Sequence, residues 1–220
     1  MGWATLVHKV RRNAEDHGWQ IAFRKVVRAI SAPLYAHTAY RIYKLDVQRS
    51  AVRESPSSDG VVLKLLDSED TRLIAAIERY AEWLQSRLAG IIAEGALCVV
   101  ATRSGELVGF NLVRFGEVQI TPLRLTRQFH AGNAWSEHIM VAESCRARGL
   151  ATRLRQRMIA ELARRGMRRL YGGAEPWNTP SLNLARRLGF QEFAVIHLQQ
   201  LMGVKTWSVQ RVRRHVDTRR

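Results

Sequence analysis

The stretch Ala134-Trp-Ser-Glu137-His138-Ile-Met140-Val141-Ala-Glu143-Ser-Cys145-Arg146-Ala147-Arg148-Gly149-Leu150-Ala151 decides the fold. Residues 134–141 are strand-like, and residues 150–163 place Leu150, Leu154, Met158, Ile159 and Leu162 on one side of a helix. A strand-loop-helix unit of this kind presents unpaired N–H groups at a helix N-terminus. Those amides and the helix dipole favour a bound pyrophosphate, Gly149 permits close backbone approach, and Arg146 and Arg148 add positive charge. Taken alone, a short Arg-x-Arg-Gly run is more often a solvated turn.

Outward from this unit the chain alternates strand and helix patterns. Residues 40–47 have period two, residues 61–66 read as a second short strand, and residues 50–60 between them are loop by their Ser, Pro, Asp and Gly content. Acidic residues 67–70 start one amphipathic helix over residues 71–93, which Gly95 stops. The apolar runs 96–102 and 107–115 flank the turn Arg103-Ser-Gly-Glu106 and predict an antiparallel hairpin. Residues 116–132 show no clear periodicity and read as loop. Residues 169–174 form a buried strand, 180–188 a short helix ending at Gly189, and 193–200 and 205–210 the last strands. Residues 3–31 have a basic amphipathic helical pattern that Pro33 ends.

Within that order, Arg146-Ala-Arg-Gly-Leu-Ala151 resembles the Arg/Gln-x-x-Gly-x-Gly/Ala signature of the GCN5-related N-acetyltransferase (GNAT) superfamily. Asn178-Thr-Pro-Ser181 followed by Leu188-Gly189-Phe190 is similar to the same superfamily's Asn-x-x-Ala/Ser and Leu-Gly-Phe. The resemblance spans residues 96–193 and extends back to Tyr40, leaving residues 1–39 as an added N-terminal basic amphipathic helical segment and 211–220 as a basic tail around a domain of residues 40–210. It implies an α/β fold of the α+β mixed-sheet kind, in which the sheet splays after the strand ending at Val141 and acyl-CoA lies in the gap. Backbone groups at Met140, Val141 and Glu143 would then pair with the pantetheine arm like an added strand. The amides of Arg146, Ala147, Arg148, Gly149, Leu150, Ala151 and Thr152 would hold the pyrophosphate. Asn178 would fix the pantetheine or the strand end, with Ser181 close by; the alternative reading of Asn178 is a helix N-cap before Pro180.

In this superfamily the acceptor amine attacks the thioester directly, so the protein deprotonates an ammonium, orients it and stabilises an oxyanion. Glu137 is the first general-base candidate, as an acid on the strand leading into the cofactor loop, and it shares parity with Trp135, where some relatives carry their catalytic glutamate. An ion pair with one of many arginines is its alternative reading. His138 is expected on the opposite face, and Glu175, at the end of the next strand, is a second base candidate. Cys145 reads as an ordinary loop residue. Many members place a tyrosine four residues before the Gly of Leu-Gly-Phe to protonate the departing thiolate; here that position is Ala185, which leaves the role to water or a hydroxyl such as Ser181.

The 220 residues are 46% hydrophobic and 25% charged, a globular composition. Thirty-five Lys and Arg against 19 Asp and Glu give a net charge of +16, and only five of the cations are lysines. Anionic partners follow: an acyl-CoA, an acyl group on an acidic acyl carrier protein, or an anionic membrane surface under residues 1–31, which could instead pack on the domain or build a homodimer. The acceptor is a small-molecule amine. No nucleic acid is expected, since no interleaved aromatic-basic signature or zinc pattern is present. Two distant cysteines, Cys98 and Cys145, disfavour a disulfide framework and a metal site and fit a reducing cytoplasm, peripheral at the inner face of the membrane if the helices bind lipid. A non-catalytic anion-binding module remains the alternative to an enzyme.

Overall fold

The computed structural model describes residues 35–50 and 60–212; the readings made above for residues 1–34, 51–59 and 213–220 lie outside the described residues. The described residues form two compact units, one of residues 43–50, 60–173 and 184–191 and one of residues 35–42, 174–183 and 192–212.

The larger unit is built on strands β2 (Val61–Leu65), β3 (Leu97–Arg103), β4 (Glu106–Arg114), β7 (Asn133–Val141) and β8 (Arg169–Ala174), hydrogen-bonded in the order β8-β7-β4-β3-β2. All neighbours are antiparallel except β7 and β8. The β3–β4 hairpin turns through Ser104 and Gly105, both at positive φ (50° and 80°), the primed turn whose twist matches that of the flanking strands. Residues 116–132, expected as loop, contain a second hairpin, β5 (Gly116–Ile120) with β6 (Leu125–Phe129). Val118 and Ile120 alternate with exposed neighbours there, a period of two too short to register in the sequence beside the Pro122 turn.

Helices cover both faces of this sheet. Helix α3 (Leu150–Arg164) lays Leu150, Leu154, Met158, Ile159 and Leu162 on Val99, Ala101, Val113 and Leu170. Its end is a Schellman motif, with Met167 N–H on the Leu162 carbonyl and Gly166 N–H on that of Ala163. The opposite face carries α1 (Thr71–Tyr80) and α2 (Leu88–Ala93), whose Ile74, Ile77, Leu88 and Ile91 pack on Cys98, Val100, Phe110 and Leu112. The sequence predicts one helix over residues 71–93. Instead the helix breaks after Tyr80, passes through a 3-10 turn, Glu82–Leu84, and restarts at Leu88, because Ser86 is left-handed (φ 58°) and Glu78 Oε1 accepts the Leu88 N–H at 3.1 Å.

The smaller unit contains β9 (Gln191–Leu201) and β10 (Val204–Arg211), antiparallel through a Met202-Gly203 turn, with the first part of β1 (Tyr35–Asp46) next to β9. Strand β1 begins at Tyr35, five residues before the reading from period two. Helix α4 (Thr179–Arg187), whose residues from 184 on belong to the larger unit, ends in a second Schellman motif, Phe190 N–H to the Ala185 carbonyl and Gly189 N–H to that of Arg186. The Leu188-Gly189-Phe190 signature is therefore a helix stop. No helix among the described residues is long and apolar enough to cross a membrane.

Gly109 sits where β4 and β7 approach under Leu154: a Cβ there would lie 2.8 Å from the Met140 carbonyl oxygen and 3.1 Å from Leu154 Cδ1. Backbone cannot yield as a flexible side chain does. Gly109→Ala is expected to destabilise the protein by about 2 kcal/mol, read as a lowered urea midpoint at unchanged m-value.

Candidate active site

Strand β7 leads out of the sheet at Val141 into a single 3-10 turn, Glu143–Cys145, and then into α3. The turn consumes the amides of Cys145 and Arg146, which bond to the carbonyls of Ala142 and Glu143. Arg146 is thus withdrawn from the run of donors expected from the sequence. The first helical bond is donated by Arg153 to Gly149. Between them the amides of Ala147, Arg148, Gly149, Leu150, Ala151 and Thr152 have no hydrogen-bond partner among the described residues, and no side chain caps the helix. Six consecutive donors at the positive end of a 15-residue helix fit a multiply charged oxyanion. Gly149 is left-handed, with φ of +76°, and a Cβ there would meet no protein atom within 4 Å.

Met140 and Val141 pair with Phe110 and Gly109 of β4, and both are half-buried. The Val141 carbonyl already accepts the Tyr80 hydroxyl and Arg146 Nε, each at 3.3 Å. Glu143 is exposed at the start of the turn. Cys145 is buried in the core with Leu150 and Leu154, a packed position.

Glu137 occupies a β-bulge. Leu112 pairs with His138 and Val113 with Ser136, so Glu137 faces no residue of β4. Period two predicts Glu137 and His138 on opposite faces; the extra residue cancels that alternation and leaves Glu137 Oε1 3.9 Å from His138 Nε2. The His138 ring lies against Trp83 (centroids 5.1 Å apart), which the interrupted α1–α2 segment presents 47% exposed. Glu137 Oε2 is buried without a hydrogen bond, 3.8 Å from Arg114 Nε, and Arg114 also faces Glu94 at 3.6 Å. Burial raises the Glu137 carboxyl above its ordinary value, against the pull of Arg114 and Arg87. Burial holds the His138 imidazole down to about 4, so it is neutral at pH 7. Trp83 and Arg87 escaped the sequence reading because nothing in the apolar spacing marks the helix break that brings them here.

In the smaller unit Asn178 is the N-cap of α4: its Oδ1 accepts the Ser181 N–H at 3.2 Å, and its own N–H bonds to the Glu175 carbonyl at 2.9 Å. The three polar residues picked out in this segment are therefore neighbours. Glu175 also faces Tyr40, a residue the sequence reading passed over, and burial together with that carboxylate raises the Tyr40 hydroxyl above its usual value. A cavity of about 320 Å³ lined by Asp46, Arg49, Asn133 and Arg168 lies at the other end of β7 from the loop. No group of three metal-ligating side chains is found among the described residues.

The lowered His138 value has a stability consequence. The folded state resists a proton that the unfolded chain accepts below about 6.5, so the stabilisation present above that pH is lost as pH falls toward 4. His138→Gln should flatten the pH dependence of urea stability over this window by about 1 kcal/mol at pH 5, after allowance for partial solvent exposure.

A family model described as "Acetyltransferase (GNAT) family" matches residues 62–190, more than half of the chain. No curated protein matches. Among solved structures, the chain is similar to a putative GNAT acetyltransferase from Novosphingobium aromaticivorans (18% identity, TM-score 0.53, covering 81% of this chain and 66% of that one). It is similar also to the glucosamine N-acetyltransferase region of a fungal multi-domain GH3 beta-N-acetylglucosaminidase (18%, TM-score 0.56, 80% and 22%). A GCN5-related N-acetyltransferase from Sphaerobacter thermophilus gives 18%, TM-score 0.50, and 81% and 56%. The chain thus spans 22 to 66% of the length of these three proteins, and at such identity they share its fold alone. The match over residues 62–190, on a mixed sheet whose β7 leads into a helix N-terminus with unpaired amides, establishes that this chain belongs to the GNAT acetyltransferase family.

Proposed function

We propose that this protein transfers an acyl group from acetyl-CoA or another acyl-CoA to the primary amine of a small molecule by direct attack. The observation that carries the reading is the run of six unpaired amides, residues 147–152, at the end of the strand that holds Glu137 in a bulge. These amides, with the Arg146 and Arg148 side chains, receive the pyrophosphate. Met140, Val141 and Glu143 receive the pantetheine arm, which replaces the Tyr80 and Arg146 contacts on the Val141 carbonyl. Asn178 and Ser181 contribute from the α4 cap.

The acceptor ammonium gives a proton to the Glu137 carboxylate, with Glu175 as the second candidate base. The free amine attacks the thioester carbon and the C=O π bond opens to an oxyanion; the nitrogen, now positively charged, loses its second proton to water, and collapse of the oxyanion breaks the C–S bond and releases the thiolate. Raising the Glu137 carboxyl toward working pH makes it a stronger base than an ordinary carboxylate. With Ala185 in the position of the usual tyrosine, the thiolate takes its proton from water or the Ser181 hydroxyl.

The +16 charge supports a second form of donor, an acyl group on an acidic acyl carrier protein. We place the protein in the cytoplasm, with residues 1–31 serving localisation at an anionic membrane or assembly. Exposed Leu201, Val204, Trp207 and Val209 on the β9–β10 hairpin support self-association.

Thiol release from acetyl-CoA with a panel of amines tests the activity; CoA binding without turnover on any amine would instead favour a non-catalytic anion-binding module. Glu137→Gln is expected to lower turnover about a hundredfold while sparing acetyl-CoA binding. Equal loss in Glu175→Gln alone would move the role to that residue. Gly149→Val should weaken acetyl-CoA binding at least tenfold, about 1.4 kcal/mol, by calorimetry, through loss of the left-handed turn that aims the amides.

A further inference from the structure

Helix α3 buries a cation inside its apolar stripe. Arg155 lies among Leu154, Met158, Ile159 and Leu162, the positions that face the sheet, and is only 8% exposed. No carboxylate pairs with it among the described residues. Its hydrogen bond is from Nη1 to the hydroxyl of Ser136, and the face of its guanidinium lies 6.0 Å from the Phe190 ring centroid. A guanidinium has five N–H donors, and a hydroxyl and a ring offer it dipoles but no countercharge. Burial alone lowers its pKa to about 10, with no carboxylate acting against that shift. An apolar residue would fill the stripe at less cost, since burying a charge without a counterion is among the most destabilising arrangements in a core.

A second polar side chain on the same sheet face is also unsatisfied. Asn111 is fully buried, and neither its Oδ1 nor its Nδ2 has a hydrogen-bond partner among the described residues. It stands two residues before Val113, the β4 partner of Ser136, and opposite Ile139 of β7. Both groups therefore border the point where the β7–β8 ladder ends, at Ser136 and Gly172. Gly172 carries no side chain there: a Cβ on it would stand in ordinary contact with Ser136, 3.5 Å from its Cβ, on the side from which Arg155 reaches. The bulged Glu137 is the next residue along β7.

We infer that this site takes an acyl group bearing its own terminal carboxylate, the monothioester of a short dicarboxylic acid with CoA, which Arg155 binds as a fork on two oxygens while Asn111 donates through its amide. The inference rests on the acyl-CoA reading of the β7–α3 loop and names the acyl class that loop would present. A carboxylate supplies the charge and the acceptor oxygens that Ser136 alone does not, and paired guanidinium–carboxylate geometry is the strongest hydrogen-bonded match an arginine has. A buried polar site discriminates sharply against an analogue lacking the matching group, because the analogue leaves that site unpaired.

The test uses the full chain and calorimetric binding of succinyl-CoA, butyryl-CoA, which has the same carbon count without the charge, and CoA itself. Succinyl-CoA is expected to bind at least tenfold more tightly than butyryl-CoA, and Arg155→Met to abolish that difference while leaving CoA affinity and thermal stability undiminished. Equal binding of the two thioesters by the unaltered protein, with CoA bound, would overturn the inference and leave the acyl-CoA reading standing. Failure to bind CoA in any form would remove both. Should Arg155→Met not fold, the guanidinium is structural and the inference fails unless the unaltered protein shows the preference and Arg155→Lys reduces it.

Discussion

The parallel ladder between β7 and β8 ends at Ser136 and Gly172, and the chemistry of the larger unit follows from that end. A sheet strand has its backbone groups committed to neighbours; a strand that loses one neighbour half-way presents donors and acceptors along a free edge. At the next residue β7 also takes in an extra one, Glu137, which bends the strand and breaks its alternation. Five residues later the strand feeds a turn whose left-handed Ala147 and Gly149 aim successive amides outward ahead of α3. Free edge, bulge and helix N-terminus lie in sequence on one short piece of chain.

The ionisable groups along that piece share one electrostatic setting. Glu137, His138 and Arg155 are each shifted toward their neutral forms by burial. Arg114 and Arg87 temper the effect at Glu137, whereas no comparable charge tempers it at Arg155. Exposed ion pairs such as Arg72 with Glu106 are screened by water and contribute little by comparison. Among the described residues α3 buries two arginines: Arg153, whose Nη2 donates to the Val61 carbonyl, and Arg155, whose one acceptor is the Ser136 hydroxyl. The α1–α2 face presents a different chemistry: a neutral imidazole, an exposed indole and a carboxylate with an unbonded oxygen, groups suited to an amine rather than an anion.

Much of this architecture was legible in the residues themselves. The stripe from Leu150 to Leu162, the Ser104-Gly105 hairpin, the strand over residues 169–174 and the helix stop at Gly189 are local properties, set by 3.6- and 2-residue periods and by backbone conformations that few residues adopt. The loop of Arg146 and Gly149 was legible for the same reason: strand, glycine turn and helix start are contiguous in the chain. The family likeness followed from the spacing of two such local signals.

What the sequence could not determine depends on groups distant along the chain. The break after Tyr80 is held by Glu78 reaching ten residues forward to Leu88, although the apolar spacing runs on without interruption. The shared side of Glu137 and His138 comes from register against β4, which period-two counting cannot foresee. Arg155 reads in sequence as one more arginine on a basic helix; only packing against β7 and Phe190 makes it a buried charge. Local periodicity fixed which residues become helix and strand, because those preferences act over a few bonds. Tertiary structure alone decided which polar groups lost their water, because desolvation depends on everything that surrounds a group and not on its neighbours in the chain.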